Sequence, residues 1–218
     1  MLLSLSAYSQ QREEGVFSSV PLQSKDDPYK GMTIADRMTK AADYMQQDKW
    51  QLAKDVYDNV LSLEPDNLTA LYYRAYANER LFHFGLARAD YDAVLKAEPT
   101  NFHALTARAL FNEKDSHHTD ALDDANLLVE QHPDSVLSWV VRADIEERQN
   151  LLSLAEYDYL RAYELEPTNN EHLLRAVDLQ LRQKKKKDAK RNLDKLVSAG
   201  VPKQSLIHYY KRINLRNP

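Results

Sequence analysis

Arginine and aspartate recur sixteen residues apart in three places: Arg74 with Asp90, Arg108 with Asp124, and Arg142 with Asp158. A guanidinium and a carboxylate at one fixed spacing can lock together through paired charge-assisted hydrogen bonds, or three aligned arginines can form a site for an anion. The structural pairing is the expectation, because the two partners come and go together. The corresponding places on either side hold Lys40 with Val56 and Ala176 with Asn192. The other dense polar group is "SHHTD", with His117, His118 and Asp120. Adjacent histidines point in different directions on a regular element, and no second ligand pair stands at a zinc spacing, so a solvated turn is expected and no metal site. Cysteine is absent, which excludes disulfides, thiolate zinc sites and cysteine nucleophiles. Only 4 glycines are present, each isolated, so no glycine-rich phosphate loop can form. Carboxylates are plentiful, but nothing separates an acid/base pair from a solvated helix face. Neither a cofactor nor enzymatic activity is expected.

The elements that must position these residues follow from a returning phrase. "LSLEPDN" ends at Asn67, and "LKAEPTN", "VEQHPDS" and "YELEPTN" follow it at intervals of 34 residues, each with a proline at the same place: Pro65, Pro99, Pro133 and Pro167. Stacking the chain on those prolines gives five units, 34–67, 68–101, 102–135, 136–169 and 170–202. Position eight then reads Ala41, Ala75, Ala109, Ala143, Val177, and position twenty reads Ala53, Ala87, Ala121, Ala155, Ala189. Position twenty-four reads Tyr57, Tyr91, Ala125, Tyr159, Leu193. Small side chains let two helices cross closely, and a large one fills the space beside the crossing. Proline cannot continue a helix, so it ends the second helix of each unit, and the Asn or Ser after it is placed to cap the next. With 43% hydrophobic residues there is material for a core, although one helical hairpin cannot bury its apolar face and stacked ones can.

Period, small residues at positions eight and twenty, the aromatic at twenty-four and proline at thirty-two together resemble the tetratricopeptide repeat family over about residues 34–202. The usual glycine at position eight is alanine here, the first unit has Arg37 where a large apolar residue is the rule, and in the fifth Pro202 comes one place late. The resemblance implies an all-α, right-handed superhelical solenoid of about five helix-turn-helix repeats. Residues 203–218, with Leu206, Ile207, Tyr210, Ile213 and Leu215 near helical spacing, are expected to form the helix that caps its C-terminal end.

In this family the first helices of successive repeats line a concave groove. Carried onto this chain, that placement selects Met38, Ala42, Tyr72, Tyr76, Arg80, His103, Thr106, Leu110, Val140 and Asp144. Such a floor is apolar and aromatic with charge to one side, and suits a peptide or partner protein. The protein's own residues 10–33 or a second copy of the chain are the alternative occupants. The family's carboxylate clamp for chaperone tails needs Lys and Asn at set positions. Met38, Ala42, Tyr73, His103 and Ala107 stand there, and one repeat later Tyr72, Tyr76, Ala107, Leu137 and Val141, so the clamp is absent.

Charge is divided unevenly, with net +9 over residues 170–218 and net −13 over the rest. The basic end centres on Lys184, Lys185, Lys186, Lys187, Lys190 and Arg191. It is expected to be a solvated turn; the alternative is an adaptor surface within 182–216 for lipid headgroups, an acidic protein or nucleic acid. Aromatic residues that could stack bases are sparse there, so nucleic acid is the weakest of the three. No apolar run is long enough to span a membrane. Residues 1–9 end in a small-x-small pattern, Ala7-Tyr8-Ser9, and are read as the remnant of an export signal, giving a periplasmic or envelope-associated protein; without that reading the chain is cytoplasmic. Residues 10–33 have no apolar period and are read as a linker or docked arm.

Overall fold

The computed structural model describes residues 28–214. The expected export signal, most of the expected arm, and Leu215 lie outside these residues. Ten helices pair in chain order: α1 (Ile34–Gln46) with α2 (Trp50–Leu63), α3 (Leu68–Arg80) with α4 (Phe84–Ala97), α5 (Phe102–Lys114) with α6 (His118–Gln131), α7 (Val136–Arg148) with α8 (Leu152–Leu165), and α9 (Asn170–Arg182) with α10 (Lys186–Ser198). A short 3₁₀ turn, Lys203–Leu206, leads into α11 (Ile207–Asn214). Each helix packs against its neighbours in sequence, and the described residues contain no strand.

The repeated phrase does two jobs. Asn67, Asn101 and Asn169 each cap a first helix by accepting from a backbone N–H of its first turn. Their amide nitrogens donate back to Glu64, Glu98 and Glu166, which fixes the cap rotamer. In "VEQHPDS" both members have changed, and Ser135 makes no capping bond. The first helix uses a capping box instead, Thr33 with Asp36.

The turn inside each repeat is built from backbone. Lys49, His83, His117, Leu151 and Lys185 send their N–H groups to the carbonyls of Tyr44, Asn78, Asn112, Glu146 and Gln180, at 2.8–2.9 Å. This six-to-one closure requires a left-handed residue just before the donor. Asp48, Phe82, Ser116, Asn150 and Lys184 fill that place, with φ between 56° and 62°. Phe82 is the costly choice: it is 74% exposed, and its ring lies edge-on to Phe84, with centroids 6.0 Å apart. Phe82→Gly is expected to stabilise the chain by about 1 kcal/mol, read as a higher urea midpoint. A lower midpoint would show that the ring contact outweighs the backbone strain.

The core runs along the helix crossings. Every residue at positions eight and twenty is fully buried, and Tyr57, Tyr91, Tyr159 and Leu193 fill the space beside them. Arg37, the departure noted in the first repeat, is buried. Its guanidinium donates to the carbonyls of Met32 and Tyr29 and to Asn59, so it holds the described part of the arm, residues 28–33, over the N-terminal end of the array. Lys40 rests over the Tyr29 ring at 5.5 Å.

Candidate functional site

The first helices stand side by side and are stitched along one lip by contacts from repeat to repeat. Lys114 reaches Glu79 at 3.0 Å, Gln149 donates to Glu113 at 2.8 Å, Arg182 pairs with Glu147, and Arg212 pairs with Asp178 at 2.5 Å. The charged side expected of the groove is therefore largely neutralised within the chain.

The face these helices share is aromatic toward its N-terminal end. Tyr76 is 36% exposed and lies edge-on to Trp50, with centroids 5.7 Å apart. Arg80 extends over the same Trp50 ring at 5.0 Å. Tyr73, 40% exposed, stacks on Tyr57 with an interplanar angle of 14°. Tyr72 is half-buried and wedged edge-on between Tyr73 and Tyr91. Burial raises its hydroxyl pKa, with the nearby Tyr73 adding to the effect. Tyr72 thus forms the wall of the site, while Tyr73, Tyr76 and Trp50 present surface. A cleft of about 340 Å³ opens beside them, lined by Leu68, Thr69, Tyr72, Tyr73, Val94 and His103 among others.

Of the other groove residues, Met38 packs half-buried against the core, Ala42 is exposed, Thr106 and Val140 are half-buried, and Leu110 is exposed. Asp144 differs from expectation. It accepts the hydroxyl of Tyr159 and so serves the repeat's interior as well as the rim. Arg148, Arg175 and Arg182 share a second cleft of about 380 Å³ with Asp144 and Glu147. Trp50 was not among the expected groove residues because it belongs to a second helix, 26 residues before Tyr76.

The arginine–aspartate spacing gives bidentate pairs. Nε and Nη2 of Arg74 donate to Asp90 at 2.9 and 2.6 Å, Arg108 meets Asp124 at the same distances, and Arg142 meets Asp158 at 2.6 and 2.9 Å. Each remaining Nη1 crosses to the preceding repeat, to Asp58 at 2.8 Å, Asp92 at 2.7 Å and Asn126 at 3.2 Å. With Nε and both terminal nitrogens engaged in each guanidinium, these arginines form a ladder rather than an open anion cradle. Position twenty-five, which supplies the crossing acceptor, could have been found in the stacked sequence: Asp58, Asp92 and Asn126 precede the three arginines, and Leu160 precedes Ala176.

His117 bonds the carbonyl of Asp115 and His118 bonds Glu113, each through Nδ1 at 2.9 Å, so the two rings diverge. Among the described residues no three His, Asp or Glu side chains are grouped to hold a metal. In the basic run, Lys185 pairs with Glu156 at 2.7 Å, Lys190 with Asp194 at 2.6 Å and Arg191 with Asp188 at 2.8 Å. Lys184 and Lys187 are exposed, and Lys186 opens α10.

A family model described as tetratricopeptide repeat matches residues 38–81, 83–136 and 114–170. The chain belongs to the tetratricopeptide repeat family. Proteins of this family generally act by binding other proteins, as a rule without catalysis. Solved structures share the fold at low identity. MamA from Desulfovibrio magneticus, residues 41 to the end, superposes with a TM-score of 0.66 at 17% identity, over 77% of this chain and 95% of that one. A tetratricopeptide repeat protein from Parabacteroides merdae gives 0.63 at 21%, over 86% and 77%. YrrB, described as a tetratricopeptide repeat protein with an unusual peptide-binding site, gives 0.63 at 16%, over 82% and 92%. No curated protein matches the sequence significantly. No helix among the described residues is long and apolar enough to cross a membrane.

Proposed function

We propose that this tetratricopeptide repeat protein is a non-enzymatic scaffold that holds a segment of a partner protein against the face shared by its first helices. The observation that carries this reading is the row of exposed apolar and aromatic side chains on successive repeats, Tyr73 and Tyr76, then Leu110, then Leu137, beside a lip whose charges are already paired. Rigid rings offer large contact area at small entropic cost, and paired rim charges leave apolar burial as the main source of affinity. The printed description of YrrB, a protein of the same fold, as carrying a peptide-binding site is consistent with this use of the array.

The test compares the intact chain with Tyr73→Ala/Tyr76→Ala in retaining its partner from the native organism. Loss of two aromatic anchors is expected to weaken binding about a hundredfold or more, with little response to salt. Circular dichroism should show the variant folded, because both rings are substantially exposed. Undiminished retention that falls with salt, and is lost when Lys184 and Lys187 become Gln, would replace the groove with the basic end as the binding surface. Retention of the chain's own copies alone would make the face a self-association site.

A further inference from the structure

Four junctions join the five repeats, and they are not fastened alike. Across the first, Arg74 pairs with Asp58. Across the second, Arg88 pairs with Asp115, Arg108 with Asp92, and Lys114 with Glu79. Across the fourth, Arg182 pairs with Glu147 and Lys185 with Glu156. The last repeat is tied to α11 by Arg212 with Asp178 and by the Tyr210 hydroxyl on Asp194 at 2.8 Å. Among the described residues no ion pair crosses the third junction, where α6 meets α7. Its side-chain hydrogen bonds are neutral or singly charged: Arg142 to Asn126, Gln149 to Glu113 and to the carbonyl of His118, and the Trp139 indole to the carbonyl of Pro133 at 2.7 Å.

A second feature marks the same place. At the equivalent site of the second junction, Arg88 reaches Asn112 at 2.6 Å, and at the fourth Gln180 reaches Glu156 at 2.9 Å. At the third, the residue equivalent to Arg88 and Glu156 is Leu122, and the residue equivalent to Asn112 and Gln180 is Glu146. Glu146 is buried, and its Oε2 accepts no hydrogen bond; the Oδ1 of Asn78 at the first junction is likewise unpartnered, but Glu146 is a carboxyl set against the carboxylate of Asp158. The charged groups acting on it are Asp158 of α8 and Arg142 of its own helix, the latter 3.8 Å from Oε1. The α6 residues at the repeat positions that supply partners elsewhere, Leu122 and Asn126, are uncharged, and the Glu113 of α5 is taken up by Gln149 and His118.

We propose that the junction between the third and fourth repeats is the yielding joint of the solenoid, opening before the others and opening more readily when Glu146 is ionised. Repeat arrays hold together through nearest-neighbour interfaces, so the interface with the fewest charged ties and an orphaned buried carboxyl is the place where the array parts. Burial and the charge of Asp158 raise the Glu146 pKa to about 8, so the proton that spares the joint is lost within an accessible range. The joint lies between Leu110 and Leu137 on the proposed binding face, so its opening would change the spacing of that face.

Hydrogen exchange of the full chain, followed by mass spectrometry and corrected for intrinsic rate, tests this. Segments of α6 and the start of α7 are expected to exchange ahead of those flanking the first, second and fourth junctions, and the lead should widen as pH rises toward about 8 and level off above it. Glu146→Gln should remove the widening and slow local exchange about tenfold at alkaline pH. Asn126→Asp, which gives Arg142 the anion its counterparts have, should slow it about threefold. Earliest opening at another junction would overturn the proposal, and the second is the natural rival because α4 and α5 approach less closely. Uniform exchange, an unaltered lead in Asn126→Asp, or a pH effect that persists in Glu146→Gln would overturn it equally.

Discussion

Asp124→Ala is expected to destabilise the chain by about 3 kcal/mol, a fall in Tm of roughly 6–12 °C for a chain of this size. Asp124 is buried and accepts three bonds, two from Arg108 and one from the Asn112 amide at 3.2 Å. Truncation leaves a half-buried guanidinium and the buried Asn112 amide without their acceptor, at the floor of a cleft of about 300 Å³. The penalty comes from that stranded charge more than from the lost attraction. The control is Asp92→Ala, which removes the other carboxylate on the same arginine. Asp92 is exposed, and surface pairs contribute about 0–1 kcal/mol, so this variant should be nearly neutral. Arg108→Met with Asp124→Leu should regain much of the loss, since apolar replacement of both partners removes the stranded group. Thermal denaturation of the four proteins decides the matter. If Asp124→Ala costs no more than Asp92→Ala, the ladder is decoration on a core that the alanine crossings alone hold together.

The legibility of the fold had a physical basis. A thirty-four-residue period with alanine at two fixed places can be satisfied by one close helix crossing per repeat, and every one of those alanines is fully buried. The pairs within a repeat were visible because both members lie at one spacing and vanish together. The third arm of each arginine was harder to see, since its acceptor belongs to the preceding repeat and has changed to Asn126 at one junction. The candidate site was legible as a face but not as a surface. Which tyrosine projects and which is wedged depends on how far one first helix is rotated against the next, and no single helix encodes that rotation. Tyr72 and Tyr76 lie on the same face four residues apart, yet Tyr91 behind and Trp50 beside give them different depths. Glu146 was invisible for a related reason. A glutamate near the end of an amphipathic helix reads as solvated, and only the packing of α7 in the array buries it against Asp158 of another helix.

That burial makes Glu146→Gln the second large effect, with a sign that depends on pH. The ordinary glutamate value is 4.5, and in the folded chain burial, then the charge of Asp158, push it up to about 8. Between those values the folded chain keeps a proton that the unfolded chain has released, so stability is complete below the ordinary value and declines as pH rises through the folded one. The slope can reach about 1.4 kcal/mol per pH unit while the difference in protonation lasts, and it vanishes once both states are ionised. Glutamine is the shape of the protonated acid and cannot titrate. Its amide can donate toward Asp158 as Asn112 donates to Asp124 in the preceding repeat. The variant should therefore match the parent in acid and exceed it by about 2 kcal/mol or more in mild alkali, with a flatter stability profile between. Arg142 keeps its bidentate bond to Asp158 in both proteins, so the comparison isolates one carboxyl. Urea midpoints measured across this pH range are sufficient. Parallel profiles would mean that the Glu146 charge is tolerated where it lies, through relaxation of α7 against α6, and the proposed joint would fall with it.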